Sequence, residues 1–226
     1  MSDYYAYVGI GREDGDTGEA CGILYAKDQF NLIETGTKWL TSTPDEVSQL
    51  PGAEYLRVYT WVTLERKTDG VQFMHLNTHL DTAGSDIRQT EAAMLVEFLY
   101  EHRDLAIVMT GDFNCSSEST EFAMLVSEFM RNCAEIAAEK DMGSFTVNGV
   151  IDFLLVYDLY IDVQYYEISD DRINGDYASD HRAGYIEYVI DYNGTPVQDN
   201  ENMGDGNLVV VPDREGADYD DPVIVF

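Results

Sequence analysis

The sequence predicts an α+β fold, a sandwich of sheets rather than a doubly wound parallel sheet. Two observations carry this. Most neighbouring strand-like runs are separated by hairpin-type turns, and the segments of helical period are few and interspersed among them. A third observation sets the size. The chain has 226 residues and 45% apolar content, which suits one large domain, or one domain and a tail, with a sizeable core.

Tyr4–Gly9 reads as a short strand and Gly11–Gly18 as a polar, glycine-rich loop. Cys21–Ala26 and Phe30–Glu34 are two strands joined through Lys27-Asp28-Gln29. Lys38–Leu40 leads into a proline-marked turn at Thr43-Pro44-Asp45. Tyr55–Glu65 and Val71–Leu80 are long runs rich in β-branched and aromatic residues. The Lys67-Thr68-Asp69-Gly70 turn between them predicts an antiparallel hairpin. From Ser85 the period becomes helical, with Ile87, Met94, Leu95, Phe98 and Leu99 on one stripe and Ser85 or Asp86 as N-cap.

The apolar run Leu105–Met109 is the next strand. A second helix is predicted over Ser119–Lys140, with Phe122, Leu125, Val126, Phe129, Cys133 and Ile136 on one face. Ser144–Val147, Val150–Val156, Ile161–Ile168 and Ala183–Ile190 are further strands. After Asp191 the composition shifts. Residues 191–226 hold nine acidic groups against the single Arg214, and two apolar islands, Leu208–Val211 and Val223–Phe226. The reading is a domain over 1–190 and an acidic linker or tail over 191–226.

The formal charge of −30 argues against broad, non-specific duplex binding, because a phosphate backbone needs a basic stripe to neutralise it. A local site can still take a phosphate. Cys21, Cys115 and Cys133 are too few and too unpatterned for a disulfide framework or zinc site, and read as small buried residues or free thiols. No run approaches the roughly 18 apolar residues of a membrane span. Met1–Tyr5 lacks the basic and apolar regions of a signal peptide, which makes the cytoplasm the default expectation.

Chemistry concentrates at strand ends. In Leu105-Ala-Ile-Val-Met-Thr-Gly-Asp-Phe-Asn114 a buried-type strand ends in Gly111, and Asp112 and Asn114 follow two positions apart. On an extended chain those side chains point the same way, toward the strand's C-terminal end, and hard oxygen ligands there suit Mg²⁺ or Mn²⁺. A plain Asp-Asn turn is the competing reading. Asn77-Thr-His-Leu-Asp81 ends another strand, Ile151-Asp152 begins one, Ser179-Asp-His181 precedes the last, and Arg57 sits early in its own. Together they offer a metal-binding pair, an acid beside a histidine, a second histidine, an orienting acid and a cation, which are the groups that phosphoester hydrolysis needs. A structural ion-pair partner is the competing reading of Arg57, and Asp81 reads as structural. His75 and His102 read as bystanders.

These stretches resemble the endonuclease/exonuclease/phosphatase superfamily, also called deoxyribonuclease-like. The resemblance runs from about Tyr4 to Ile190 and includes Gly9-Ile-Gly-Arg-Glu-Asp-Gly-Asp-Thr-Gly-Glu19, Gly22–Asp28 and Lys38–Asp45 as well as the strand-end motifs. It implies a two-sheet, four-layer sandwich with a divalent-metal site. By position, Asp112 and Asn114 match the metal- and phosphate-contacting pair and Asp180 a metal ligand. His181 matches the general base or phosphate donor, oriented by Asp152. His79 matches a phosphate-contacting histidine, and Arg57 an arginine that steadies the phosphate. The family normally opens with two core strands carrying an asparagine and a Gln-Glu pair, which nothing before Tyr4 supplies. Glu13 and Glu19 do not match that glutamate. The resemblance therefore implies an N-terminally truncated member, with a complementing segment or a further domain of a longer protein as a candidate partner.

The expected function is a metal-dependent phosphoester hydrolase, using Mg²⁺ or Mn²⁺ to cleave a phosphodiester or phosphomonoester by water attack. A small phosphoester or a single-stranded nucleic-acid end is the expected substrate. The alternatives are a DNA endonuclease or exonuclease, and a non-catalytic binding module that lacks the metal-ligand glutamate.

Overall fold

A computed structural model describes residues 3–127, 130–143 and 150–190. The strand expected at Ser144–Val147, the acidic segment 191–226 and its two apolar islands lie outside the described residues.

Eleven strands and three helices form among the described residues: β1 (Tyr5–Val8), β2 (Ile23–Ala26), β3 (Phe30–Trp39), β4 (Val58–Arg66), β5 (Gln72–His79), α1 (Ser85–Glu101), β6 (Ala106–Asp112), α2 (Thr120–Ser127), β7 (Met130–Asn132), α3 (Cys133–Ile136), β8 (Glu139–Asp141), β9 (Asp152–Tyr157), β10 (Ile161–Ile168) and β11 (Gly184–Ile190). The large sheet has the order β3-β4-β5-β6-β9-β7. A three-stranded sheet has the order β11-β10-β8, and β1 pairs with β2. Within the large sheet only β5 and β6 run parallel. Parallel neighbours need a crossover, and α1 supplies it.

The central strands are buried on both faces. On β4, Tyr59 and Trp61 point to one side, where Phe98 of α1 meets their rings at 5.0 and 4.9 Å between centroids. Thr60, Val62 and Leu64 point to the other and are buried too. A strand covered on both faces lies inside a layered structure. By contrast β10 alternates, with Ile161, Val163, Tyr166 and Ile168 inward and Asp162 exposed, as in a sheet covered on one face. All of these apolar residues belong to one core cluster. The α+β sandwich expected from the sequence is what the chain forms.

The Lys67–Gly70 turn closes the β4–β5 hairpin as expected, with Arg66 and Val71 hydrogen-bonded across it at 2.8 Å. Three local expectations are corrected. The Phe30–Glu34 and Lys38–Leu40 segments are one continuous ten-residue strand with an irregularity between Leu32 and Glu34. Gly36 does not break it. A Cβ there would lie 2.2 Å from the Trp61 ring, so the glycine makes room for the cross-strand indole.

The helix expected over Ser119–Lys140 ends at Ser127. Met130 and Asn132 instead pair with Tyr157 and Leu155 at the edge of the large sheet. The Asn132 side chain then accepts the Ala134 N–H at 3.1 Å and starts the short α3. Finally, α1 is capped by the backbone of Gly84 and not by a side chain. Ser85 is drawn away because its hydroxyl donates to Glu121 of α2 at 2.6 Å.

Candidate active site

Register builds the site. His79, the last residue of β5, is the parallel partner of Asp112, the last residue of β6. Asp112 is in turn the antiparallel partner of Asp152, the first residue of β9. Three reactive side chains from three adjacent strands therefore stand in one row across the end of the sheet. Gly111 makes this approach possible. Its φ is +154°, and a Cβ there would lie 2.0 Å from the Thr78 carbonyl oxygen.

Asn114 arrives by a different route from the one the sequence suggested. The strand ends at Asp112, and Asn114 adopts a left-handed conformation with φ 48°. The chain is thus not extended through the pair. The Asn114 N–H donates to Asp112 Oδ1 at 2.8 Å, and the side-chain amide donates to the Leu80 carbonyl at 2.8 Å. An Asx turn, stapled to the end of β5, is what brings the two together.

Two histidines flank Asp112, each with its Nδ1 on a carboxylate. His181 Nδ1 lies 2.7 Å from Asp152 Oδ2 and 3.9 Å from Asp112 Oδ2. His79 Nδ1 lies 2.5 Å from Glu19 Oε1, while its Nε2 lies 3.5 Å from Asp112 Oδ2. The Asp152 hydrogen bond, with the charges of Asp152, Asp112 and Asp180, raises the pKa of His181 against the opposing effect of burial. Burial raises that of Asp152, and the neighbouring charge of Asp112 adds to this, although the His181 bond pulls the other way. Negative charge is crowded here, and a proton or a cation relieves it.

Asp180 follows Ser179, whose hydroxyl donates to it at 3.3 Å. It lines an open cleft of about 130 Å³ together with Asp152, His181, Tyr166, Ile168 and Arg182. Among the described residues, the acids and histidines that could jointly reach one ion are Asp112, Asp152 and His181, whose ligand atoms all lie within 4.8 Å of one another. Asp180 stands outside that cluster. Two carboxylates and an imidazole are a donor set that fits a small divalent cation.

Arg57 is buried, at 4% exposure. Its Nε lies 3.3 Å from Asp81 Oδ2 and its Nη1 lies 3.3 Å from Glu19 Oε1, so it meets the site through Glu19. Sequence reasoning missed Glu19. Its place follows from the folding of the loop between β1 and β2, where the Arg12 N–H donates to the Glu19 carbonyl at 3.0 Å and Gly11 bridges Gly15. No local pattern announces such a closure. Away from the site, His75 is a core residue 3.0 Å from the Thr110 hydroxyl, its pKa lowered by burial to about 4. His102 lies at the C-terminal end of α1, with its ring 2.8 Å from the Phe98 carbonyl. The three cysteines are free and buried. Among the described residues no helix is long and apolar enough to cross a membrane.

No protein-family model and no curated protein matches the chain. Solved structures do. An endonuclease/exonuclease/phosphatase family protein from Bacteroides thetaiotaomicron is 30% identical over 83% of this chain and 76% of that one, with a TM-score of 0.75. The chain belongs to the endonuclease/exonuclease/phosphatase family. The endonuclease/exonuclease/phosphatase from Bacteroides vulgatus is 28% identical, covering 83% of this chain and 77% of that one at a TM-score of 0.76. A mannosyl-6-phosphatase from Bacteroides thetaiotaomicron is 29% identical over 83% and 78% at 0.75. The family is one of phosphoesterases and nucleases, so in general terms the fold is that of a hydrolase.

Proposed function

We propose that this protein is a divalent-metal-dependent phosphoester hydrolase acting on a small phosphodiester or phosphomonoester, or on a single-stranded nucleic-acid end. The observation that carries the proposal is the row His79–Asp112–Asp152, with His181 closing on it, so that two carboxylate-held histidines flank one aspartate. Asp152 occupies Nδ1 of His181 and leaves Nε2 to take the proton of an attacking water. His79, fixed by Glu19, donates to a phosphate oxygen. Asn114 shapes the Asp112 turn and offers its amide carbonyl oxygen, since its amide nitrogen is committed to Leu80. Arg57 steadies the phosphate side through Glu19.

Asp112 belongs both to the metal set implied by family resemblance, with Asn114 and Asp180, and to the cluster gathered by the fold, with Asp152 and His181. It is the residue we assign to Mg²⁺ or Mn²⁺. When bound, the ion would neutralise phosphate charge in the transition state. The acidic surface favours a compact substrate over a duplex. The similarity to a mannosyl-6-phosphatase points in the same direction.

The test is release of p-nitrophenol from p-nitrophenyl phosphate and its bis-ester, with and without Mg²⁺. Turnover should require the metal and be abolished by His181→Ala. Absence of metal-dependent turnover on monoesters, diesters and oligonucleotides alike would leave a binding module in its place.

A further inference from the structure

Beside His79 lies a buried acid to which the proposed chemistry gives no role. Asp81, two residues beyond His79, is fully buried, and its carboxylate is saturated by donors. Oδ1 accepts the N–H groups of Glu54 at 2.9 Å and Ala83 at 2.8 Å. Oδ2 accepts the Tyr55 N–H at 3.0 Å and Arg57 Nε at 3.3 Å. Its own N–H donates to Glu91 Oε2 of α1 at 2.8 Å. Burial alone pushes the Asp81 carboxyl up, but the Glu54, Ala83 and Tyr55 N–H groups and the Arg57 charge bring it below the usual range. A fixed negative charge is therefore locked beside the site.

That charge sets what stands around it. The Tyr55 ring, whose backbone Asp81 holds, lies 5.1 Å from the Arg57 guanidinium and 5.0 Å from that of Arg12. Both guanidiniums reach the same oxygen, Glu19 Oε1, at 3.3 and 3.2 Å. Glu19 Oε1 is also the atom that holds His79 Nδ1. We propose that Asp81 is a positioning residue for His79, acting through Arg57 and Tyr55 to fix the Glu19 carboxylate on the imidazole. Without the Asp81 charge, Glu19 is the remaining carboxylate partner of Arg57 among the described residues, and Arg57 draws it inward, off the histidine. The proposal rests on the reading that His79 serves the reaction, but its geometry can be tested without turnover.

The second histidine–carboxylate pair provides an internal control. Nδ1 protons hydrogen-bonded to carboxylates give downfield proton NMR signals, assignable here by their loss in His79→Gln and His181→Gln. In Asp81→Asn the His79 signal should shift or vanish while the His181 signal stays in place. Arg57→Lys, which keeps the cation but cannot bridge Asp81 and Glu19, should do the same and covers the case in which Asp81→Asn fails to fold. In a turnover assay either variant should lower kcat tenfold or more, with KM changed by less than about twofold. If both signals hold in both variants, or both are lost together, Asp81 has a purely structural role and the inference is overturned. Signals that behave as expected in a protein without turnover would sink the hydrolase reading and leave this one standing.

Discussion

Asp112 and Asp152 are direct cross-strand partners in the β6–β9 ladder, so two carboxylates stand side by side at the sheet end. Like charges placed directly opposite each other destabilise a sheet by up to about 1 kcal/mol. Such a pair is consistent with a site built for a cation rather than for stability. Asp112→Asn should therefore leave the metal-free protein as stable as the wild type or slightly more so. Millimolar Mg²⁺ should raise the wild-type Tm by a few degrees, on the order expected for ligand linkage, and leave the variant unmoved. Thermal melts with and without the ion read both effects.

Asp152→Asn keeps the shape of the His181 partner and removes its charge. As general-base catalysis contributes about 10²–10⁴-fold, kcat should fall within that range while the fold persists. His181 is the proton acceptor in the proposed reaction, so activity is lost as pH falls through its raised pKa. The acid limb of the wild-type profile should thus lie above the ordinary histidine value and move to lower pH in the variant. A pH profile of kcat on p-nitrophenyl phosphate measures the shift.

Glu91 carries a pH dependence of the opposite sign. It is fully buried, its Oε1 has no hydrogen-bond partner among the described residues, and burial pushes its pKa from 4.5 to about 7. The Asp81 charge adds to the rise, while the Asp81 N–H, Arg57 and Arg88 oppose it. The folded protein holds this proton more tightly than the unfolded chain does. The associated stability is fully present below pH 4.5 and is lost as pH rises through 7. Glu91→Gln should match the wild type at about pH 4 and below, and exceed it by about 3 kcal/mol at pH 8. His75, held neutral with a pKa near 4, gives stability that is lost as pH falls below 6.5. The two slopes oppose each other between 4.5 and 6.5, and the variant should expose that of His75. Urea titrations across pH give the comparison.

Gly111→Ala should cost about 3 kcal/mol or more, because its Cβ collides with the Thr78 backbone in addition to the strained φ. Since the clash lies between β5 and β6, one residue before the His79–Asp112 level, the variant should lose metal-linked stabilisation along with fold stability. Urea unfolding with and without Mg²⁺ separates the two losses.

What the sequence made legible follows burial and contact range. The strands that carry the site are apolar runs with sharp polar ends, so Phe73–Leu76 and Ile107–Met109 announced both their conformation and where the chemistry begins. The helix expected over Ser119–Lys140 overshoots because its apolar stripe continues in the sequence through Phe129, Cys133 and Ile136, and hydrophobic period does not reveal that Met130–Asn132 will leave to pair with β9. Glu19 was invisible for another reason. It reaches His79 across sixty positions, through a loop whose closure depends on backbone bonds between Arg12, Gly11, Gly15 and Glu19 itself. The burial of Arg57 is hidden too: the residue lies just before β4 and not within it, and a single arginine there reads the same whether it faces solvent or an internal acid.

Side chains on a strand alternate between faces, so sliding β6 by a single position against its neighbours would turn Asp112 away from both His79 and Asp152 at once. A chain misaligned in this way would keep most of its apolar content inside and still be chemically silent. If the proposed hydrolysis holds, turnover is consequently a readout of strand alignment: specific activity would report the fraction of molecules in which β6 has found this register.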